Sequence, residues 1–349
     1  MADKFNIGIV GYGNIGQALH TALNIKYKVV VADNLNNQVP CVTQIDLRHP
    51  SPDHLVNWMV GNELHAVICT TPYYLVKKVA QVAAQLGIAY FDPTEDRETT
   101  EFIKKLESTS VLVPQCGLAP GAVSIIGSHL IQQFDKPVSL EIRVGALPKY
   151  PNNHMQYNLT WSTDGLINEY CHPSEVIEHG IRTNASPLGN YELVTLQGKQ
   201  YEAFNTSGGL GTLCETYEGK LKTLNYKTMR YVGHHQYMSF LLNDLKMNEN
   251  QKEFTDIFNK TIPKTCDDVV LIMIKAVGLN SGKLIERNYV KEISRHDMFS
   301  AIQLTTAYGI AGVVDSWFYG NWKKRSGFVK QEEVDFNHFI YNDWGALYA

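Results

Sequence analysis

Three closely spaced glycines near the start constrain this chain more than any other feature. The short apolar stretch Phe5 to Val10 enters Gly11-Tyr12-Gly13-Asn14-Ile15-Gly16, and an apolar helical pattern follows through Leu23. A second apolar stretch, Tyr27 to Ala32, then ends at Asp33. That order reads as strand, tight turn, helix, strand and acid, which is the layout of a dinucleotide-binding βαβ unit. Gly11 permits the turn, Gly13 lets the backbone approach a pyrophosphate, and Gly16 lets the helix pack closely on the sheet. The glycine spacing alone would also fit an ordinary loop; the flanking strands, the helix and the acid about twenty residues on give it meaning.

The expected ligand follows from the chemistry of each part. At the start of the helix the N–H groups of Asn14, Ile15 and Gly16 and the positive end of the helix dipole favour a pyrophosphate. Asp33 would accept hydrogen bonds from a ribose 2′-hydroxyl and repel a 2′-phosphate. No Arg or Lys occurs in the following Asn34-Leu35-Asn36-Asn37, so NAD is expected in preference to NADP.

A length of 349 residues suits two cores better than one. The net charge of -4 and the absence of a basic run give no reason to expect nucleic acid or an acidic membrane as partner. No stretch of about 18 apolar residues suggests a membrane span. The first strand is expected at Lys4 or Phe5, with no signal peptide before it. Six scattered cysteines without C-x-x-C spacing fit reduced thiols in a cytoplasm, and twelve histidines without H-x-x-x-H spacing fit a chain with no metal.

After Asp33, the stretch Cys41 to Asp46 reads as another strand, placing Asp46 near the adenine. Pro52 to Val60 reads as a helix, Ala66 to Tyr73 as an apolar strand stopped by Pro72, Tyr74 to Leu86 as a helix ended by Gly87, Ile88 to Phe91 as a strand, Glu101 to Leu106 as a helix, and Val111 to Pro114 as a strand. This alternation predicts an α/β doubly wound parallel sheet of the Rossmann type. Ligands bind such sheets beyond the carboxyl ends of the strands, so Thr70, Thr71 and Pro72 are expected beside the nicotinamide.

A helix from Ala122 to Phe134 leads out of this domain, and the pattern changes. Val138 to Leu147, Gln156 to Trp161, Tyr191 to Leu196 and Lys199 to Phe204 are expected as strands, the last two joined through Gln197-Gly198. Val269 to Val277 and Lys283 to Ile293 form a further pair around Asn280-Ser281-Gly282. Helices are expected at Thr163 to Tyr170, Gly211 to Leu221, His235 to Met247, Asn250 to Phe258 and Met298 to Trp317. The predicted organisation is a nucleotide-binding domain of residues 1–120 and 300–349, with an α+β substrate domain of residues 121–299 inserted in it. The tail, Gly327 to Glu333, should return to the first domain.

Four stretches carry a family resemblance: Asp164-Gly165-Leu166-Ile167-Asn168-Glu169-Tyr170, Glu202-Ala203-Phe204-Asn205-Thr206-Ser207-Gly208-Gly209, Tyr226-Lys227-Thr228-Met229-Arg230-Tyr231-Val232-Gly233-His234, and the terminal Gly-Phe-Val-Lys-Gln-Glu-Glu. They resemble the saccharopine dehydrogenase family, and within it the lysine 6-dehydrogenases. The resemblance implies a nicotinamide-dependent oxidoreductase acting on a carbon–nitrogen bond of a lysine-like amino acid. It also implies that the inserted domain serves dimerisation, giving a homodimer or higher homo-oligomer. The family's Gly-x-Asp-Pro-Gly stands here as Gly117-Leu118-Ala119-Pro120-Gly121, with Ala119 replacing the acid.

Amine oxidation requires a deprotonated nitrogen, a well-placed hydride acceptor and a base for the water that opens the imine. Candidate catalytic residues are Tyr73, at the end of an apolar strand, Asp92 and Asp96, after the next strand, and Cys116. Each also has a plainer use: packing for Tyr73 and Cys116, helix capping for Asp92. For the substrate carboxylate, Arg230 offers a planar two-pronged donor, and Ser207, Gly208 and Gly209 offer backbone N–H groups. His234 has the ordinary pKa of an acid or base near neutrality. A reductase joining an aldehyde to an amino acid, and an NAD-binding protein without turnover, are the competing readings.

Overall fold

The computed structural model describes residues 5–34, 40–296 and 298–349. The expected start at Lys4 and the stretch Leu35-Asn36-Asn37 lie outside them. The chain divides into two compact units, residues 1–125 with 305–349, and residues 126–304.

The first unit opens with β1 (Asn6–Val10), α1 (Asn14–Leu23), β2 (Lys28–Asp33), β3 (Val42–Gln44), α2 (Asp53–Gly61), β4 (Ala66–Cys69), α3 (Tyr73–Leu86), β5 (Ala89–Phe91), α4 (Arg97–Lys104) and β6 (Val111–Val113). All five residues of β1 and all four of β4 are buried, as strands covered on both faces must be. The α1 helix buries Gly16, Ala18, Leu19, Ala22 and Leu23, a stripe at helical spacing. The α3 helix ends at Gly87, whose φ of 68° lets its N–H reach the carbonyls of Ala83 and Ala84.

α5 (Ala122–Ile131) leads into the second unit, which holds β7 (Lys136–Pro148), α6 (Thr163–Cys171), β8 (Ser174–Glu178), β9 (Ile181–Ala185), β10 (Glu192–Leu196), β11 (Lys199–Asn205), α7 (Leu213–Tyr217), β12 (Thr223–Tyr231), α8 (His234–Ser239), α9 (Gln251–Thr261), β13 (Asp268–Asn280) and β14 (Lys283–Ser294). α10 (Ala301–Tyr319) returns the chain to the first unit, which closes with β15 (Gly327–Phe328) and α11 (Phe336–Tyr341).

The first sheet is parallel throughout, in the order β15-β6-β5-β4-β1-β2-β3. Its order reverses between β1 and β4, so the turns leaving these two strands open a crevice at their carboxyl ends. The second sheet runs β10-β11-β12-β7-β13-β14, with β8 and β9 attached at β12. Its β7 and β12 are parallel and its other pairs antiparallel. The fold class is therefore the expected one: a Rossmann-type parallel sheet with a mixed α+β unit inserted.

Several elements depart from the reading of the sequence. Gln156 to Trp161 is no strand: Gln156 has φ of 54°, Asn153 Nδ2 holds the Tyr157 carbonyl at 2.6 Å, and Leu159 makes only an isolated bridge to Lys264. The helix expected from His235 to Met247 is interrupted, because α8 gives way to a π-turn at Phe240–Asp244 and then to Lys246 at φ 54°. Only Leu213–Tyr217 of the expected Gly211 to Leu221 helix forms, with Gly219 beyond it at φ 72°. The β8–β9 hairpin was not anticipated.

Asp268 shows how the second unit fixes a helix start. Its carboxylate is fully buried and accepts from the N–H groups of Ala301, at 2.5 Å, and Ile302, at 3.0 Å. It thereby caps α10 from a different strand. Asp268→Ala should lower stability by about 2 kcal/mol in urea unfolding, while Asp268→Asn, which keeps one acceptor, should lose less. Equal losses from both would show that the charge, not the acceptor, fixes the helix start.

Candidate functional site

The glycine turn uses its three glycines in different ways. Gly11 has φ of 105°, and a Cβ there would lie 2.9 Å from the Thr70 backbone. A Cβ on Gly16 would lie 2.0 Å from the Gly11 carbonyl oxygen, so α1 can approach β1 only without a side chain at this position. At Gly13, which is exposed, a Cβ would meet no protein atom within 4 Å. Nothing within the fold demands glycine at 13, whereas an anion lying against the helix start would. No side chain caps α1, which leaves the N–H groups of its first turn directed outward.

Asp33, at the end of β2, accepts the Tyr12 N–H at 2.6 Å through Oδ2, and the Gly11 N–H reaches the Ala32 carbonyl at 2.8 Å. The acid thus holds the turn as well as sitting where a ribose would be read. Across the crevice, Thr70 Oγ1 donates to the Gly11 carbonyl at 2.9 Å, and Thr71 Oγ1 lies 3.2 Å from Cys69 Sγ. Pro72 precedes α3, and Tyr73 opens that helix with 61% of its surface exposed. These residues fit a dinucleotide: the helix start and Gly13 for its phosphates, Asp33 for a ribose. Asp46 is exposed, and its carboxylate accepts the Arg48 N–H at 2.9 Å in a turn.

The remaining catalytic candidates of this unit serve the fold. Asp96 caps α4 by accepting the Thr99 N–H at 2.7 Å. Asp92 is fully buried; its Oδ1 accepts the Thr94 N–H at 2.7 Å, forming a turn rather than the helix cap considered for it, and its Oδ2 has no hydrogen-bond partner. Burial pushes the Asp92 carboxyl up to about 7. Cys116 is buried too, its thiol donating to the Asp92 carbonyl at 3.2 Å, and burial raises its pKa well above the ordinary thiol value. A thiol so held is a packing group and not a ready nucleophile. Ala119 lies in the turn between Gly117 and Gly121, where a Cβ on Gly121 would come within 2.1 Å of the Gly117 carbonyl oxygen.

In the second unit, Arg230 on β12 is buried among aromatic rings. Its Nε donates to the Tyr170 hydroxyl at 2.7 Å, and its Nη1 donates to Thr228 Oγ1 at 2.6 Å and the Met229 carbonyl at 2.9 Å. Its guanidinium carbon lies 5.4 Å from the Tyr157 ring centre and 5.6 Å from that of Tyr170. The fold has already engaged two of its three nitrogens, so the two-pronged presentation expected from sequence reduces to the Nη2 end. His234 lies beside it, Nδ1 3.0 Å from the Met155 carbonyl and Nε2 3.1 Å from the Tyr170 hydroxyl. Burial, reinforced by the Arg230 charge, pushes its pKa down to about 3. His234 is a neutral positioning group for Tyr170 and not an acid or base near neutrality.

Ser207, Gly208 and Gly209 do not form an anion cradle. The Ser207 N–H is taken by the Glu169 carbonyl at 3.1 Å, and a Cβ on Gly209 would lie 2.6 Å from the Tyr226 ring. The next helix, α7, has five residues. Sequence reasoning passed over Tyr157, Tyr170 and the Glu169 side chain. The signal for Glu169 was present, since it falls three residues after Leu166 on the apolar side of α6. Among the described residues no group of three or more His, Cys, Asp or Glu side chains is placed to hold a metal ion, and no helix is long and apolar enough to cross a membrane.

The family model of the saccharopine dehydrogenase C-terminal domain matches residues 117–345, well over half of the chain. The chain belongs to this family. The matched region takes in the Gly117 turn, the whole second unit, α10 and β15. Among solved structures, saccharopine dehydrogenase (L-Glu forming) from Saccharomyces cerevisiae is similar with a TM-score of 0.75 and 14% identity, over 96% of each chain. A C. glutamicum DAP dehydrogenase in complex with DAP is similar with a TM-score of 0.52 and 10% identity, over 99% of this chain and 98% of its own. An engineered D-amino acid dehydrogenase bound to NADP+ gives a TM-score of 0.52 and 11% identity, over the same shares. At these identities the likeness is one of fold, and it extends over both units of the family member.

Two predictions follow from this geometry. Gly13→Val should leave thermal unfolding within about 1 °C of the parent yet abolish dinucleotide binding in titration calorimetry, whereas Gly16→Val should unfold the first unit. Asp92 supplies a pH dependence of defined sign. The native carboxyl keeps its proton up to about pH 7, whereas the unfolded one loses it near 3.8. Native protein therefore binds the extra proton in that window, and the contribution to stability, complete below about pH 4, is lost as pH rises through 7. At about 1.4 kcal/mol per unit this amounts to a few kcal/mol. Asp92→Asn, a neutral mimic, should flatten the decline of unfolding free energy between pH 4 and 8, and a decline as steep as in the parent would exclude Asp92 as its source.

Proposed function

We propose that this protein is an NAD-dependent oxidoreductase acting on a carbon–nitrogen bond of a lysine-like amino acid, of the lysine 6-dehydrogenase type. The observation that carries the reading is the glycine turn at the crevice between β1 and β4. Gly11 and Gly16 are required by the fold, Gly13 is not, and Asp33 stands at the end of β2. NAD, bound by Gly11 to Gly16, Asp33 and the Thr70-Thr71-Pro72 segment, would supply the hydride acceptor. Family membership supports an amino acid as the substrate class.

On this reading the chain's own residues have limited tasks. Tyr73, exposed at the start of α3, lines the site. Arg230 supplies a permanent positive charge in a dry environment, and its Nη2 receives a substrate carboxylate. The reaction removes a hydride from the carbon bearing the amine and a proton from its nitrogen, and water then opens the imine to an aldehyde and ammonia. A second reading, a reductase that joins an aldehyde to an amino acid, draws on the fold likeness to the yeast saccharopine dehydrogenase over 96% of both chains. On either reading the protein works as a homodimer or higher homo-oligomer in a cytoplasm.

Absorbance of the reduced cofactor during incubation with lysine, saccharopine, ornithine or diaminopimelate separates the readings. Lysine as best substrate supports the first, saccharopine the second, and no turnover with any of them excludes both. Cofactor choice rests on Asp33. Asp33→Asn keeps an acceptor for the Tyr12 N–H while removing the charge, so the preference for NAD over NADP should narrow about tenfold without loss of fold. A parent enzyme that works equally well with NADP would sink this assignment.

A further inference from the structure

The second unit holds a buried acid and a buried cation that do not meet. Glu169, on α6, is 8% exposed, and Arg230, on β12, is 2% exposed. They act on each other electrostatically, yet no ion pair within 4.0 Å joins them. A buried acid and a buried cation ordinarily close into contact, because only contact and hydrogen bonds repay the lost hydration of the ionised acid; Glu169 instead holds its proton to higher pH. Among the described residues no side-chain hydrogen bond ends on the Glu169 carboxylate and none starts from Arg230 Nη2, since Arg230 bonds through Nε and Nη1. Thr206 Oγ1, next to the Ser207 whose N–H binds the Glu169 carbonyl, is buried without a partner, and the buried Tyr157 hydroxyl is electrostatically linked to both Glu169 and Arg230. Native proteins leave few such groups unmet, and several around one pair mark a place that something else completes.

The group that completes them must carry both charges. A carboxylate satisfies Arg230 Nη2, a neighbouring ammonium satisfies the Glu169 carboxylate, and a single α-amino acid head group supplies both on one carbon. We propose that Glu169 receives the α-ammonium group of the substrate while Arg230 receives its α-carboxylate, so that the pair selects an α-amino acid by its head. This rests on the reading that the substrate is an amino acid and deepens it. An α-amino group engaged by Glu169 is not the amine that is oxidised. The pair therefore commits the chemistry to the far end of the substrate and favours oxidation of a side-chain amine. Burial raises the Glu169 carboxyl above the ordinary carboxylate range, and an arriving ammonium draws its proton off.

The test compares L-lysine with 6-aminohexanoate, which lacks the α-amino group, and pentane-1,5-diamine, which lacks the α-carboxylate, in steady-state assays with NAD. The parent enzyme should prefer lysine to 6-aminohexanoate by at least about tenfold in kcat/KM. Glu169→Gln, close in shape, should raise the KM for lysine about ten- to hundredfold and shrink that preference to a few-fold. Glu169→Asp, which keeps the charge on a shorter arm, should restore part of it. Arg230→Lys should instead shrink the preference for lysine over the diamine. An undiminished preference for lysine over 6-aminohexanoate in Glu169→Gln overturns the proposal. Proportional loss of both substrates also overturns it, by making Glu169 a structural residue. A parent enzyme that turns over 6-aminohexanoate as well as lysine overturns the head-group proposal while leaving the amine-oxidising reading in place. Turnover of no amino acid at all removes that reading and the proposal together.

Discussion

The first unit depends on one close approach, between the Gly11 carbonyl oxygen and the α-carbon of Gly16. A Cβ there would sit 2.0 Å from that oxygen. With hydrogen in its place, α1 comes down onto β1 with its first turn uncapped beside the crevice. The Thr70 hydroxyl ties the Gly11 carbonyl to the turn after β4, and Asp33 ties Tyr12 to the end of β2. Three strands are thus coupled at their carboxyl ends through a segment of six residues. Widening any one of these contacts would move the helix start away from the crevice at the strand ends. The turn is therefore a structural joint first, and its capacity to bind follows from the joint.

The second unit stores charge in a different way. Arg143, on β7, is buried like Arg230, but its partners meet it directly: Glu192 Oε1 at 2.5 Å from Nε, Asn225 Oδ1 at 2.6 Å from Nη1, and Glu141 Oε2 at 3.3 Å from Nη2. Lys227 closes the group through Glu192 Oε2 at 2.9 Å. Every charge in that network is answered by another side chain, which is what a purely structural cluster requires. Arg230 lies on the same sheet in equally dry surroundings and lacks that closure. That contrast between two buried arginines sets the Arg230 cluster apart from a closed structural network.

Local demands were legible in the sequence and tertiary ones were not. The glycine turn declares itself because each of its requirements falls on a residue within thirty positions, and the long β13–β14 pair declares itself through Asn280-Ser281-Gly282. The β8–β9 hairpin has the same kind of turn, His179 at φ 53° and Gly180 at φ 88°, but its strands carry Glu175, Glu178 and Arg182 and so lacked an apolar pattern. Asp92 and Asp96 read as following a strand and Cys116 as preceding the Gly117 turn, but Asp96 caps α4, which starts at Arg97, four residues ahead of the helix expected from Glu101, and a position in sequence does not say whether a carboxylate faces solvent or turns back on its own backbone. Arg230 stood out by its motif, whereas its enclosure by Tyr157 and Tyr170 depends on two segments sixty or more residues upstream.

Burial of the two acids also alters the protein's account of its own charge. The formal net charge of -4 and the sequence isoelectric point near 6.3 count Asp92 and Glu169 as fully ionised at neutrality. In the folded molecule both carboxyls hold protons to higher pH than free side chains do, while His234 refuses one until the solution is strongly acidic. Near neutral pH the native protein thus migrates in an electric field as a less acidic particle than its composition implies. Unfolding in urea returns those protons to the solvent, so native and denatured forms should part company in electrophoretic mobility even after their difference in size is removed.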